Sequence, residues 1–331
     1  MRVLVLSHRD VLAALAPDAC ADAMAAVLAG HARGETFLPL RSVMRPPDAA
    51  GFLGLMPAWG AAHDEAAAAF ALKAVVIIPG NPARGLDAHQ GLVTLFDGQT
   101  GQPTAILDAS AVTLIRTAAV TAVATSVLAR RDAKTLAILG AGVQARAHLR
   151  ALAGVREFGE VRVYAPTQEH ARRLAEQAGD AFESSCVAAS PADALRGADV
   201  VVAATSSREP VLRREWLAPG AHVNAVGAST PAAREIDTAT VAASALFCDS
   251  RESLRNEAGE FLLAVADGAI PGEQHVRAEL GEVLAGMAPG RRDEGELTLF
   301  RSLGLGIEDL AAARVAVAAA TEQGLGTEVD V

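Results

Sequence analysis

The sequence predicts an α/β protein built around a mostly parallel sheet, on three observations. An apolar strand runs straight into a glycine turn and a helix in Leu136-Ala-Ile-Leu-Gly-Ala-Gly-Val-Gln-Ala145. A second strand, Glu160-Val-Arg-Val-Tyr164, follows at βαβ spacing. Further short apolar runs at residues 199–204, 222–226 and 246–249 each lead into loop or helix signals, as in a parallel sheet covered on both faces.

The glycine turn carries the chemistry. Gly140 permits the tight turn, Gly142 lets backbone amides approach a diphosphate with no Cβ in the way, and Ala145 allows close helix–strand packing. Val143 and Gln144 begin the helix whose unpaired N–H groups face that diphosphate. The expectation is a Rossmann dinucleotide-binding domain. Where a carboxylate would hold the ribose of NAD at the end of the second strand, the chain has Ala165, and Thr167 is placed to bond a 2′-phosphate. Arg172 and Arg173 lie nearby on a helix. NADP is therefore expected ahead of NAD. Thr205 and Ser206 follow one sheet strand, and Val226, Ser229 and Thr230 follow another, at the edge where open α/β sheets bind ligands. Hydroxyls at such turns also bond backbone, so the position alone does not decide their role. His148, on the dinucleotide helix, is expected to be exposed.

With 331 residues the chain can form two domains with real cores. Its net charge of −10 argues against nucleic acid and anionic membrane as partners. The three cysteines, Cys20, Cys186 and Cys248, show no ligand spacing, so neither a disulfide framework nor a metal site is expected and a reducing cytoplasm fits. The opening apolar stretch is too short for a signal peptide. No apolar run is read as membrane-spanning; the longest candidate, residues 66–78, holds Lys73.

Before the glycine turn, residues 17–31 read as a helix and residues 37–107 as short strands broken by Pro and Gly. Asp97-Gly98 and Thr100-Gly101 bracket a hairpin, and a long helical pattern runs from Ala111 through Arg116 to Arg130. The tail, residues 297–320, turns helical again at Glu308, with its place in the fold left open. Three cations stand on otherwise apolar segments: Arg41 in Leu38-Pro-Leu-Arg-Ser-Val43, Lys73 in Phe70-Ala-Leu-Lys-Ala-Val-Val-Ile-Ile78, and Arg116 in Val112-Thr-Leu-Ile-Arg-Thr117. A buried ammonium must meet an anion, lower its pKa or escape at the strand's edge. A guanidinium so placed is an ion-pair member or a carboxylate clamp. Together they point to a small anionic substrate beside the dinucleotide, with Lys73 a candidate general acid. His89, in a Gly-flanked loop, is a structural histidine or a cofactor contact.

These pieces resemble the ornithine cyclodeaminase/mu-crystallin family over nearly the whole chain. The carriers are Gly51-Phe-Leu-Gly-Leu-Met-Pro57, Pro79-Gly-Asn-Pro-Ala-Arg-Gly-Leu86, Ile115-Arg-Thr-Ala-Ala119, Leu139-Gly-Ala-Gly-Val-Gln144, Asn224-Ala-Val-Gly-Ala-Ser229, Leu280-Gly-Glu-Val-Leu284 and Leu299-Phe-Arg-Ser-Leu-Gly304. The resemblance implies a homodimer. It also implies a discontinuous α+β substrate-binding and dimerisation domain, residues 1–115 and 303–331, around a Rossmann domain of residues 116–302. It supports Arg41, Lys73 and Arg116 as the substrate-carboxylate group, and Thr117 with residues 140–144 as cofactor contacts. The cyclodeaminase branch is similar but carries carboxylates where this chain has Gly54 and Ser229. The implied activity is therefore reduction of a small, cyclic imino acid by NAD(P)H, or the reverse amino-acid dehydrogenation. Ornithine cyclodeamination, and a non-catalytic protein that holds NADP and a small ligand, are the rivals.

Overall fold

The computed structural model describes residues 1–62, 67–227 and 230–331, Asp180 by its backbone alone. The chain divides into two units, Met1–Arg116 with Gly304–Val331, and Thr117–Leu303.

The first unit opens with strand β1 (Arg2–Leu6), helix α1 (His8–Ala14) and helix α2 (Pro17–Ala32). Ser7 and Asp10 cap α1 reciprocally, and Pro17 starts α2 where its missing N–H costs nothing. Strands β2 (Thr36–Phe37), β3 (Ser42–Met44), β4 (Phe52–Gly60), β5 (Ala69–Ile77), β6 (His89–Asp97) and β7 (Pro103–Asp108) follow. The hairpin expected between the last two is present. The Asp97 carboxylate accepts the amides of Gln99 and Thr100, and Gly101 takes φ +72°. Asp108 then accepts the Ala111 amide at the start of helix α3 (Ala109–Leu128).

Helix α3 corrects one expectation. By length and composition its 20 residues would cross a bilayer, as would α1 and α2 taken together across an 83° bend. Yet α3 carries Arg116, and 72% of its most apolar stretch is buried in the protein, as in a core helix.

The second unit supplies β8 (Thr135–Leu139), α4 (Val143–Leu152), β9 (Glu160–Tyr164), α5 (Gln168–Glu176), β10 (Ser184–Val187), α6 (Pro191–Leu195), β11 (Val200–Ala203) and β12 (His222–Ala225). It continues through α7 (Thr238–Ala243), β13 (Ala245–Cys248), α8 (Arg251–Glu257), α9 (Gly259–Ala266), β14 (Val276–Glu279), α10 (Leu280–Leu284) and β15 (Thr298–Arg301). The strands pair in parallel in the order β10-β9-β8-β11-β12-β15-β13-β14. Apolar clusters lie on both faces of this sheet, which is why its strands read as continuous hydrophobic runs.

In the sequence, the residues of β15 read as part of the tail. Four residues ending in an arginine do not look like a central strand, but Arg301 is buried against Glu260.

The chain then returns to the first unit as α11 (Gly306–Gln323), ended by Gly324 at φ +66°, and β16 (Thr327–Asp330). The completed sheet runs β16-β1-β7-β6-β5-β4-β2, with β3 also on β4. All its pairs are antiparallel except β1–β7. Helix α11 packs on α2 and across β4, β5 and β6.

Candidate active site

Strand period places Ala71, Lys73 and Val75 on the buried face of β5, the side that α11 covers. Lys73 is 3% exposed, and its Nζ lies 2.7 Å from Asp309 Oδ2 and 3.4 Å from Thr113 Oγ1. Burial pushes the Lys73 pKa down to about 8, against the pull of Asp309, and the positive charges of Arg116 and Arg41 push the same way. The ammonium has thus both met an anion and become a better proton donor.

Thr113 and Arg116 are one turn apart on α3 and face the same cluster. Arg116 donates to Glu308 Oε2 at 2.7 Å and to Asp309 Oδ1 at 3.2 Å. Both carboxylates sit in the first turn of α11, where the helix dipole favours negative charge. Gly304 is held at φ +79°, and a Cβ there would fall 2.4 Å from an Arg116 nitrogen. Arg41, between β2 and β3, donates to the Gly304 carbonyl at 2.7 Å. The three predicted cations therefore converge. With Glu308 and Asp309 the group carries one net positive charge, matching a ligand with one carboxylate. His89 begins β6 in this same unit, exposed at the strand's start. Although His89 is exposed at its surface, the protein packed around it and the charges of Lys73 and Arg116 lower its pKa.

In the second unit the predicted nucleotide residues gather along the carboxyl edge of the parallel sheet. Gly140 takes φ +110°, and a Cβ on it would meet the Ala204 carbonyl oxygen at 2.4 Å. Gly142 is the N-cap of α4 with no side-chain cap, and a Cβ there would meet nothing within 4 Å. The first turn of α4 thus begins uncapped by a side chain, beside exposed Val143 and a Gln144 side-chain oxygen that is buried without a hydrogen-bond partner among the described residues. This cradle fits a diphosphate. Ala165 is buried just past β9, and exposed Thr167 precedes α5 without capping it. Arg172 and Arg173 are exposed and pair with Glu169. Val226, Thr205 and exposed Ser206 end their strands at this edge, with Thr230 beyond. Ser229 lies outside the described residues.

His148 is not exposed, as expected, but wholly buried. Its Nδ1 donates to the Gln144 carbonyl at 2.7 Å and its Nε2 lies 2.9 Å from Thr121 Oγ1. Burial lowers its pKa to about 4, so the ring is neutral. Thr121 lies one turn after buried Thr117 on α3, so His148 links that stretch of α3 to the start of α4.

Sequence reasoning missed Glu308, Asp309 and Glu235. The signal for the first two was present: adjacent acids heading an alanine-rich helix, in a chain whose buried cations needed counter-ions. Glu235, wholly buried, accepts the amides of Thr205 and Gly227.

Residues 1–324 match the model of the ornithine cyclodeaminase/mu-crystallin family. The chain is 40% identical to the ketimine reductase mu-crystallin of Mus musculus over 283 residues, 85% of each chain. Thermococcus litoralis Δ1-pyrroline-2-carboxylate reductase, solved with NADH and L-proline, superposes with a TM-score of 0.94 at 35% identity, covering 99% of this chain and 100% of that one. An archaeal alanine dehydrogenase dimer with bound NAD gives a TM-score of 0.92 at 32% identity, covering 100% of this chain and 99% of that one. The chain belongs to the ornithine cyclodeaminase/mu-crystallin family.

Proposed function

We propose that this chain is an NAD(P)H-dependent reductase that converts a small cyclic imino acid to the amino acid, and runs the reverse dehydrogenation when the amino acid is in excess. The observation that carries the reading is the buried Lys73–Asp309–Arg116–Glu308 group with Arg41: a net positive cluster holding a proton donor softened to a pKa of about 8. The dinucleotide, held by the α4 cradle, supplies the hydride. The chain's own residues do the rest. Arg41 and Arg116 grip the carboxylate and fix the C=N group in place. Lys73 gives its proton to the ring nitrogen as the carbon is reduced, and Asp309 keeps the ammonium oriented. Ser229 positions substrate or water, Thr117 and Thr205 border the cofactor, and His89 lies at the cationic group. Ala165 favours NADPH, since no carboxylate stands there to repel a 2′-phosphate.

The pyrroline-2-carboxylate reductase bound to NADH and L-proline supports the substrate class. Gly54 is buried in β4 opposite Val75, and its position offers no carboxylate for amine and ammonia protons, which speaks against cyclodeamination.

In this reading the protein is a cytoplasmic homodimer whose first unit carries the interface. The face of its sheet turned away from α11 presents the cross-strand rows Trp59–Phe70–Phe96 and Leu55–Ala74–Leu92. Phe70 and Leu92 are 47% and 51% exposed, a patch suited to a second copy. The dimeric alanine dehydrogenase agrees with this.

The test is absorbance at the reduced-nicotinamide band, with purified protein, NADPH or NADH, and pyrroline- or piperideine-2-carboxylate. Imine-dependent loss of the band is expected, faster with NADPH. A flat trace with both imines and both cofactors would overturn the reading, and ammonia release from ornithine would then establish the cyclodeaminase alternative.

A further inference from the structure

Three turns at the carboxyl edge of the parallel sheet all but touch: Gly140 after β8, Ala204-Thr205 after β11 and Gly227 after β12. A Cβ on Gly227 would lie 2.1 Å from the Thr205 carbonyl oxygen and 2.5 Å from Glu235 Oε1. Into this crowding Glu235 brings a wholly buried carboxylate and divides it between two turns. Oε1 accepts the Thr205 amide at 2.5 Å, and Oε2 accepts the Gly227 amide at 2.7 Å. Its own backbone is anchored on both sides. The Glu235 amide donates to Glu260 Oε1 at 3.0 Å, and its carbonyl accepts from Val211 and Leu212. Glu260 faces buried Arg301 at 3.2 Å, and Arg301 donates to the carbonyls of Ala225 and Ser302. A buried Arg–Glu–Glu chain thus stands behind the two turns.

The strand order places β9 and β10 on one side of β8, and β11 and β12 on the other. A dinucleotide lying across the crevice between β8 and β11 has its adenosine half toward β9, where its ribose is read. The turns after β11 and β12 then face the nicotinamide half. They carry Thr205, Ser206 and Val226.

We propose that Glu235 is the positioning residue for the nicotinamide half of the cofactor, locking the turns after β11 and β12 into one surface. This deepens the reductase reading and rests on it. A buried carboxylate is costly unless each oxygen is satisfied, and here the return on that cost is a fixed distance between two turns that, among the described residues, no backbone hydrogen bond joins at these atoms. Glu235 touches no reacting atom in this account; it acts through the turns.

The experiment compares Glu235→Gln and Glu235→Asp with wild type by calorimetry and steady-state kinetics. The titrants are NADPH paired with 2′-phospho-ADP-ribose, and NADH paired with ADP-ribose, each fragment lacking only the nicotinamide. Gln puts a donor against one of the two amides, and Asp is too short to span both. In both variants the fragments should bind within about twofold of wild type, while the whole dinucleotide binds, or is turned over in kcat, about tenfold worse or more. Unchanged dinucleotide binding and kcat would overturn the proposal. So would equal loss of fragment and dinucleotide, which would make Glu235 a residue that merely holds the fold. Wild-type protein that binds dinucleotide but reduces no imine would overturn the substrate reading and leave the proposal to be decided on binding alone. Wild type that binds neither dinucleotide would overturn both.

Discussion

Lys73 and Asp309 stand 236 residues apart in sequence, yet their side chains meet at 2.7 Å with both buried. Burial has lowered the Lys73 pKa to about 8, and Asp309 opposes that shift. The sign of the pH dependence follows. Imine reduction needs Lys73 protonated, so kcat is expected to hold at neutral pH and fall as pH rises through about 8. Amino-acid oxidation needs the neutral amine and should rise through the same point. In Asp309→Asn the supporting charge is gone, and the edge should move to lower pH. A pH–rate profile in both directions checks this; an edge that Asp309→Asn leaves in place would separate it from Lys73.

Lys73→Met removes the proton donor and leaves the α4 cradle untouched. Turnover should fall by about 10²- to 10⁴-fold, with NADPH affinity unchanged within about twofold. Single-turnover absorbance and calorimetry on the same preparation read the two quantities separately. Unchanged turnover would remove Lys73 from the mechanism.

Gly304 has no room for a side chain. A methyl group would sit 2.4 Å from the Arg116 guanidinium, on a backbone held at φ +79°. Gly304→Ala should therefore displace Arg116 and disturb the carbonyl that Arg41 bonds, raising KM for the imino acid by about 10- to 100-fold. KM for NADPH should stay within about twofold. Equal rises in both would mean that the substitution loosens the fold and not the carboxylate grip.

The parts of this architecture that were legible in the sequence are those with local signatures. The glycine turn, the βαβ unit and the β6–β7 hairpin each follow from residues a few positions apart. The three cations were legible because a charge in an apolar run is anomalous wherever the chain folds. Their partners were not. Glu308 and Asp309 head a helix that could have been placed anywhere, and only the return of α11 onto β4, β5 and β6 makes them counter-ions. His148 was misread for the same reason. The pattern of α4 marks one face as buried, but the hydroxyl of Thr121 that satisfies the ring comes from α3. Strand β15 and the role of Glu235 depend on parallel pairing and turn contacts across the sheet, which no window of sequence displays.

The ribose end gives a prediction about cofactor choice. Ala165 is buried just past the end of β9, where a carboxylate would meet a 2′-phosphate as a like charge. Ala165→Asp should lower kcat/KM with NADPH by roughly 30- to 100-fold and spare or improve NADH. The ratio of the two specificity constants, measured with one imine, is the readout. A ratio that does not move would place the 2′-selectivity elsewhere.

The open face of the first sheet supports a dimer that a single charge should break. Leu72 lies between Pro57 and Thr94 in the cross-strand register, in the middle of the apolar rows. Leu72→Glu would bury an unpaired carboxylate in the interface and should give a species of one chain mass where wild type gives two, by light scattering at micromolar concentration. Wild type running at one chain mass would overturn the dimer directly.

His148 and His222 make stability depend on pH in a stated direction. Both are buried and neutral, with burial lowering their pKa values to about 4 and about 3 from the usual 6.5. The unfolded chain takes up a proton on each below 6.5, and the folded chain does not. The stabilisation is therefore present above 6.5 and is lost as pH falls toward the folded values, by about 1.4 kcal/mol per pH unit for each ring. Carboxylates titrate in part of the same range, so the test is differential. His148→Gln keeps an amide that can donate to the Gln144 carbonyl but cannot take a proton. Urea unfolding at pH 7, 6 and 5 should show the variant losing less stability than wild type between the last two, by about one proton's worth of slope. Parallel losses in the two proteins would mean that His148 is already charged in the fold, and that the neutral link from α3 to α4 is wrong.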